Sequence, residues 1–199
     1  AEDLLKQGAR SEAETLIRDL PPGAPLRDGL QDIMATTRQA SELCRQLLVY
    51  SGKSRLVTEP VNLSRLIEEM KPMLDISTTG KVHLTYRLNP DLPAVKADPT
   101  QIRQVVMNLI LNATDAAIQG NGSISVNTGI RDFTAAQLQN AMPSNTCPAG
   151  RYVLIEITDN GCGMEASILS RIFDPFFTTK ASGRGLGLPL VLGIVRGHR

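Results

Sequence analysis

An α+β sandwich, a sheet with helices on one face, preceded by an antiparallel helical hairpin, is the fold this sequence predicts. Three observations carry it. The first fifty or so residues hold helix-spaced apolar positions on either side of a Pro-Gly turn. The segments Val82–Leu88 and Tyr152–Thr158 alternate apolar and polar residues, as half-buried strands do. Between and after them, helical and extended patterns are mixed, which suits one sheet covered by helices.

The hairpin comes first. A helix is expected from Glu2 to Leu20, stopped by Pro21-Pro22-Gly23, and a second from Pro25 to Ser51. The second carries Leu30, Ile33, Met34, Ala40, Cys44, Leu47 and Leu48 at helical spacing. A lone hairpin cannot bury two apolar stripes. Pairing with a second copy into a four-helix bundle would cover them, and so would packing on the rest of the chain. The expected division is a hairpin over residues 1–53 and a second domain over 54–199.

The remaining elements follow in order. Ser54–Pro60 reads as a connection and Leu63–Asp75 as a helix. Val82–Leu88 is the first strand, with His83 on its polar face, where a surface residue is the ordinary reading. Asp98-Pro99-Thr100-Gln101 opens the next helix: Asp98 can cap, Pro99 suits the first turn and Gln101 completes a capping-box pattern. That helix is expected to reach Ile118, before Gly120-Asn121-Gly122. Ser123–Thr128 reads as a strand, and Arg131–Gly150 as a polar insertion with a short helix at Thr134–Asn140. Tyr152–Thr158 ends at Asp159-Asn160-Gly161. A short helix at Ala166–Ile172 and a last helix after Gly183–Gly187 complete the chain.

Composition narrows the function. The 199 residues hold 21 Lys+Arg against 20 Asp+Glu, a net charge of +1, so no global field draws nucleic acid or anionic membrane. A charged ligand would need a local site. Cys44, Cys147 and Cys162 show no CxxC spacing and lie far from both histidines, which argues against a disulfide framework or a zinc site and suits a reducing cytoplasm. No apolar run approaches the ~20 residues of a membrane helix and no signal peptide opens the chain. The expectation is a cytoplasmic segment whose parent could carry membrane spans upstream.

Four segments carry chemistry. On the helix from Asp98, Ile102, Val105, Val106, Leu109, Ile110, Ala113 and Ala117 form a broad apolar face, while Gln104, Asn108, Asn112 and Asp115 share another. A solvated face would favour Glu, Lys and Arg. This one is amide-rich, and amide oxygens are hard ligands suited to Mg²⁺. An exposed polar face is the other reading. Asp159-Asn160-Gly161-Cys162-Gly163-Met164 ends a strand: its glycines permit a tight turn, and Asp159 could accept from an exocyclic amine such as that of adenine. As an isolated motif it is a turn signal. Gly183-Arg184-Gly185-Leu186-Gly187-Leu188 opens a helix whose backbone N–H groups could hold phosphate. It is not a Walker A loop and lacks the βαβ setting of a dinucleotide site. Ahead of it, Phe173-Asp174-Pro175-Phe176-Phe177-Thr178-Thr179-Lys180 holds three of the four phenylalanines, the anchor of a mobile lid, with Lys180 a candidate phosphate contact.

In order, QVVMNLILNATDAA, DNGCGM, FDPFFTTK and GRGLGL resemble the N, G1, F and G2 boxes of histidine kinases, within the wider ATPase group of gyrase, Hsp90 and MutL. The NATDAA ending and the short gap between FFTTK and GRGLGL resemble NtrB-like and hybrid kinases. RQLLVYSGKS and PVNLSRLI extend the resemblance upstream, so it covers almost the whole chain. It implies a two-layer sandwich of the Bergerat type that binds ATP and Mg²⁺. In that scheme Asn112 coordinates Mg²⁺ with Asn108 beside it, and Asp159 holds the adenine amine. Gly161 and Gly163 shape the adenine pocket. Gly183, Gly185 and Gly187 accommodate phosphates and the moving lid, whose base Phe176 and Phe177 pack. Asp115, Lys180, Arg184, Leu186 and Leu188 complete the nucleotide-binding set. The implied activity moves the ATP γ-phosphate to a histidine and onward to an aspartate of a response-regulator receiver domain, in a homodimer formed through the hairpin. Hydrolytic relatives use a Glu one turn before the magnesium Asn; Asn108 stands here, and an amide is no general base. That favours phosphoryl transfer by positioning and charge neutralisation.

Two departures bear on this. Residues 1–20 contain no histidine. The family's spacing puts the acceptor just before Ala1, so the acceptor is expected upstream, and this segment would not phosphorylate itself without it. A degenerate kinase serving as a dimerisation scaffold is the alternative. The family also continues with further strands beyond the Gly-His of its last helix, so the sheet is expected to be incomplete here. Pro189 is acceptable in a first helical turn.

Overall fold

The computed structural model describes residues 15, 17, 18, 20, 21, 24–50, 56–78, 80, 82–117, 122–141, 148–180 and 183–198. The chain divides into two units, Ala1–Leu48 and Val49–Arg199. In the first, helix α1 (Pro25–Tyr50) matches the expected second helix of the hairpin. Thr15, Ile17 and Arg18 are helical, and most of the expected first helix lies outside the described residues. The guanidinium of Arg27 donates to the Leu20 carbonyl at 2.9 Å, closing the turn between them. Leu26 and Ile33, one heptad apart, are both exposed.

In the second unit, β2 (Val82–Arg87), β4 (Gly122–Phe133) and β5 (Gly150–Asp159) form a sheet in the order β2-β4-β5. β2 runs parallel to β4, and β4 antiparallel to β5. A parallel pair needs a crossover, and helix α3 (Pro99–Ala116) lies on that crossover. It packs beside α2 (Leu63–Thr78) on one face of the sheet. The reason is the two periodicities. Leu63, Leu66, Ile67, Met70 and Leu74 recur at helical spacing on α2, Val106, Ile110 and Ala113 on α3, and Ile124 and Val126 at spacing two on β4. Full burial of one such side chain, Ile67 for example, contributes about 1.5–3 kcal/mol. The α+β sandwich expected from the sequence is the fold observed.

Two buried hydroxyls in this core, those of Ser64 and Thr128, are paired. Ser64 Oγ donates to the Asn89 carbonyl at 2.6 Å and lies 2.7 Å from Thr128 Oγ1, which accepts the Asn89 N–H at 2.9 Å. The set ties α2 to β4 without leaving a hydroxyl unsatisfied.

Several boundaries differ from expectation. β1 (Glu59–Val61) and β3 (Val95–Ala97) pair antiparallel across what reads as connection. α2 continues past Asp75 to Thr78, whose hydroxyl donates back to the Leu74 carbonyl at 2.9 Å. β4 runs past Thr128 to Phe133 because β5 starts at Gly150 and keeps register with it, Arg131 opposite Tyr152 and Phe133 opposite Gly150. The polar insertion shrinks accordingly to residues 134–149, with helix α4 at Ala135–Ala141. Helix α5 (Ala166–Leu169) is shorter than expected.

Helix α3 is buried on two sides. Val105 packs against Leu190, Val191 and Ile194 of the last helix, α6 (Gly187–Gly197), with Leu109 beside them. This explains why its apolar face is so broad in sequence. At its N-terminus Asp98 caps as expected, its Oδ1 accepting from the N–H groups of Thr100 at 3.0 Å and Gln101 at 3.2 Å. The reciprocal half of the capping box is replaced: the Asp98 N–H donates to Nε2 of His198 at 2.9 Å. Among the described residues no helix is long and apolar enough to cross a membrane.

Candidate functional site

The C-terminal half of α3 gathers the polar residues singled out in the sequence. Asn108 is fixed by its own helix, Nδ2 donating to the Gln104 carbonyl at 2.9 Å. One turn on, Asn112 is half-buried, and Asp115 beyond it is exposed. The ammonium of Lys180 donates to Asn112 Oδ1 at 3.1 Å and to Asp115 Oδ2 at 2.8 Å. The glycine-rich turn lies against the same face: a Cβ on Gly187 would stand 3.3 Å from Asn108 Oδ1 and 3.5 Å from Asn112 Nδ2. Gly187 is the first residue of α6, so the helix begins where the amide stripe lies.

The segment that delivers Lys180 is held by short-range bonds. The Lys180 N–H donates to Thr178 Oγ1 at 3.1 Å, and the Gly183 N–H to the Lys180 carbonyl at 3.1 Å. The Phe176 N–H donates to the Gly185 carbonyl at 2.9 Å, and the two residues have φ of 68° and 65°. A side chain on Gly185 would overlap the Phe176 backbone, so glycine is required there twice over, by φ and by contact.

Phe176 and Phe177, both expected to pack the base of this segment, differ in exposure. Phe177 is half-buried, with the Arg171 guanidinium 4.2 Å from its ring centroid. Phe176 is 63% exposed and has a left-handed backbone. Leu186 is buried and Leu188 half-buried, which ties the turn to the body of the protein, while Arg184 is exposed.

At the other end of the site, β5 finishes at Asp159, opposite Ile124. Ile124 faces the helices, so Asp159 is on the helix side of the sheet. Its Oδ1 accepts the Gly161 N–H at 2.9 Å. The turn is fastened to the end of α3, the Cys162 N–H donating to the Ala116 carbonyl at 3.1 Å. A Cβ on Gly161 would overlap that carbonyl. Asn160 fastens the turn to β4 as well, its Oδ1 accepting the Ser123 N–H at 2.8 Å. Gly163 has φ of 67° with open space around its Cβ position, so only its backbone calls for glycine.

The amide stripe, the Asp159 turn, the lysine segment and the glycine-rich turn are thus neighbours around one helix end, although they span Asn108 to Leu188 in sequence. Two contributors were not singled out beforehand. The Ala116 carbonyl has no side-chain signal. Thr178, two residues before Lys180, belongs to a residue type that folds its hydroxyl onto nearby backbone, and that could have marked it.

The donor chemistry can be tested against a divalent cation. Two hard oxygens, one amide and one carboxylate, already hold a cationic ammonium. Among the described residues no cluster of three or more His, Cys, Asp or Glu could cage a metal alone. That set fits Mg²⁺, which binds through one or two protein oxygens and keeps waters and substrate phosphates as its other ligands.

A family model described as histidine kinase-, DNA gyrase B- and HSP90-like ATPase matches residues 97–199. The chain is 36% identical over 169 residues to sensor kinase CckA of Brucella abortus, covering 84% of this chain and 18% of that protein. It is 31% identical over 156 residues to the sensory histidine kinase/phosphatase NtrB of Azospirillum brasilense, covering 78% and 38%. It thus spans less than half the length of these curated relatives. Among solved structures, the catalytic domain of histidine kinase ThkA matches with a TM-score of 0.54 at 26% identity, over 71% of this chain and 82% of that one. Full-length ShkA in complex with AMPPNP matches with a TM-score of 0.64 at 17% identity, over 98% and 40%.

Proposed function

The chain belongs to the histidine kinase-, DNA gyrase B- and HSP90-like ATPases and carries the ATP-binding catalytic region of sensor histidine kinases, and on that premise we propose that the protein passes the γ-phosphate of ATP to a histidine and then to a receiver-domain aspartate. The observation that supports this reading is the meeting of Asn112, Asp115 and Lys180 beside the first residue of α6.

In this proposal adenine lies at the Asp159 end, its exocyclic amine donating to the carboxylate, within a turn shaped by Gly161 and Gly163. The triphosphate runs along α3 toward Gly183, Gly185 and Gly187, where backbone N–H groups at the start of α6 are the donors. Lys180 and Arg184 supply positive charge, and Leu186 and Leu188 seat the turn. Asn112 is the protein ligand for Mg²⁺, with Asp115 one turn on and Asn108 beside it. Bound Mg²⁺ would neutralise charge on the transferring phosphoryl group. Asn108 presents an amide where a water-activating base would have to stand, which supports transfer to a protein acceptor over hydrolysis. Residues 1–53 are proposed as the hairpin through which two copies pair.

Calorimetry with ADP or a non-hydrolysable ATP analogue tests the site. Asn112→Ala should abolish the magnesium dependence of binding, and Asp159→Ala should weaken binding at every magnesium concentration. Unchanged affinity in both variants would overturn the assignment.

A further inference from the structure

Lys180 does more here than a phosphate contact requires. Its ammonium is held by two oxygens of α3, at 3.1 Å from Asn112 Oδ1 and 2.8 Å from Asp115 Oδ2. One of these is the oxygen given above to Mg²⁺. An ammonium and a divalent ion compete for that seat: both approach the same oxygen, and like charges at such separation repel. We infer that Lys180 is a built-in competitor for the divalent-cation seat, holding the segment ahead of the glycine-rich turn against α3 until a magnesium–nucleotide complex displaces it. This rests on the magnesium assignment of Asn112.

Two features of the geometry suit the task. The backbone at Lys180 is set by the Thr178 hydroxyl on one side and the Gly183 N–H on the other, so the side chain leaves from a fixed point. The ion pair is only partly shielded, the side chains of Lys180 and Asp115 being 38% and 53% exposed. Exposed pairs are weak, so the catch holds without blocking a ligand that brings a doubly charged ion. Lys180 also accepts the Gly183 N–H through its carbonyl, so its displacement couples cation binding to the position of the turn.

The test compares the 199-residue chain with Lys180→Gln and Lys180→Arg, titrating MgCl₂ at fixed ADP and following binding by calorimetry. Competition predicts that Lys180→Gln lowers the magnesium midpoint about two- to fivefold, the range of an exposed ion pair, while Lys180→Arg stays near wild type. Trypsin should also cleave after Arg184 faster in Lys180→Gln than in wild type when no nucleotide is added. A midpoint that Lys180→Gln leaves unchanged or raises, with wild type binding normally, overturns the inference alone and leaves Lys180 a plain phosphate contact. Cleavage at Arg184 no faster in Lys180→Gln also overturns it. A wild-type chain that takes up no nucleotide at any magnesium concentration overturns the reading of the site and this inference together.

Discussion

The backbone N–H of Asp98 donates to Nε2 of His198 across 2.9 Å, joining residues one hundred positions apart. The other ring nitrogen lies 2.8 Å from the Ile194 carbonyl. Because Nε2 accepts, Nδ1 carries the proton and donates there. Asp98 meanwhile caps α3 through Oδ1 and accepts the Val57 N–H through Oδ2 at 3.3 Å. With His198 at the start of α3 and Gly187 near Asn108 and Asn112, α3 and α6 run antiparallel. The end of α6 is pinned, so its beginning, the glycine-rich turn, is held at the site.

His198→Ala should therefore destabilise the chain by roughly 1–2 kcal/mol, since it leaves a half-buried N–H unpaired. Asp98→Ala should cost about 1–2 kcal/mol through loss of the cap. In urea unfolding the two losses should add to within about 0.5 kcal/mol, because alanine at position 98 keeps the main-chain N–H that His198 accepts and removes only the separate side-chain cap. A double-variant loss well short of the sum would show that the cap and the His198 bond are coupled.

The contrast between Asp98 and the strands around it shows what was legible. Asp98-Pro99 announces a helix through local chemistry, and α3 starts where it should. β1 and β3 give no such signal: each is three residues, one contains Pro60, and they exist because they pair with each other, Glu59 opposite Ala97. β4 outruns its pattern for the same reason, since Gly129, Arg131 and Asp132 are extended by their register with β5. At the site, the residue types were readable on each segment separately. The bond from Lys180 to Asn112 spans sixty-eight positions and was not readable, because only the folded chain brings a flexible cation to those oxygens.

Two glycines at the site should fail in different ways. Gly161→Ala would drive a methyl into the Ala116 carbonyl, a backbone atom that cannot step aside cheaply. Its expected cost is about 1–3 kcal/mol of stability, with weaker nucleotide binding as the Asp159 turn shifts. Gly187→Ala meets only side-chain amides at 3.3 and 3.5 Å, and alanine is the better helix former. Stability should hold or rise slightly, while nucleotide affinity falls because Asn108 and Asn112 must give way. Thermal melts and calorimetry on both variants separate the two cases, and equal effects on both readouts would contradict this account.

Tyr86 offers a pH-dependent check on how β2 is fastened to α2. Its hydroxyl donates to Asp75 Oδ1 at 2.9 Å, and Lys71 Nζ lies 4.9 Å from the ring centroid. Burial, and then the Asp75 carboxylate, push the phenol well above its ordinary range. A pKa raised on folding stabilises the native state below the unfolded value, and that contribution is lost as pH rises through the folded one. Tyr86→Phe should cost roughly 0.5–1 kcal/mol at neutral pH, a partly exposed hydrogen bond. The wild-type advantage should begin to decline above about pH 10. Urea unfolding of both proteins at neutral and strongly alkaline pH measures it, and a gap that widens with pH would reverse the sign argued here.

Phe176 is the one non-glycine described residue with positive φ, at 68°, and its ring is 63% exposed. For a bulky L-residue this conformation costs about 1–2 kcal/mol, and an exposed ring returns little of it through burial. The strain is sustained locally by the bond from its N–H to the Gly185 carbonyl. Asparagine adopts the left-handed region readily and avoids the chain-entropy penalty of glycine. Phe176→Asn should therefore raise stability by about 0.5–1 kcal/mol in urea unfolding. If the ring serves the site, the same variant should bind nucleotide less tightly despite the gain, since strain held at an exposed aromatic beside the glycine-rich turn has a use only when something closes over it. A loss of stability instead would mean that the ring packs more than its exposure suggests, and unchanged binding would leave the strain without a functional account.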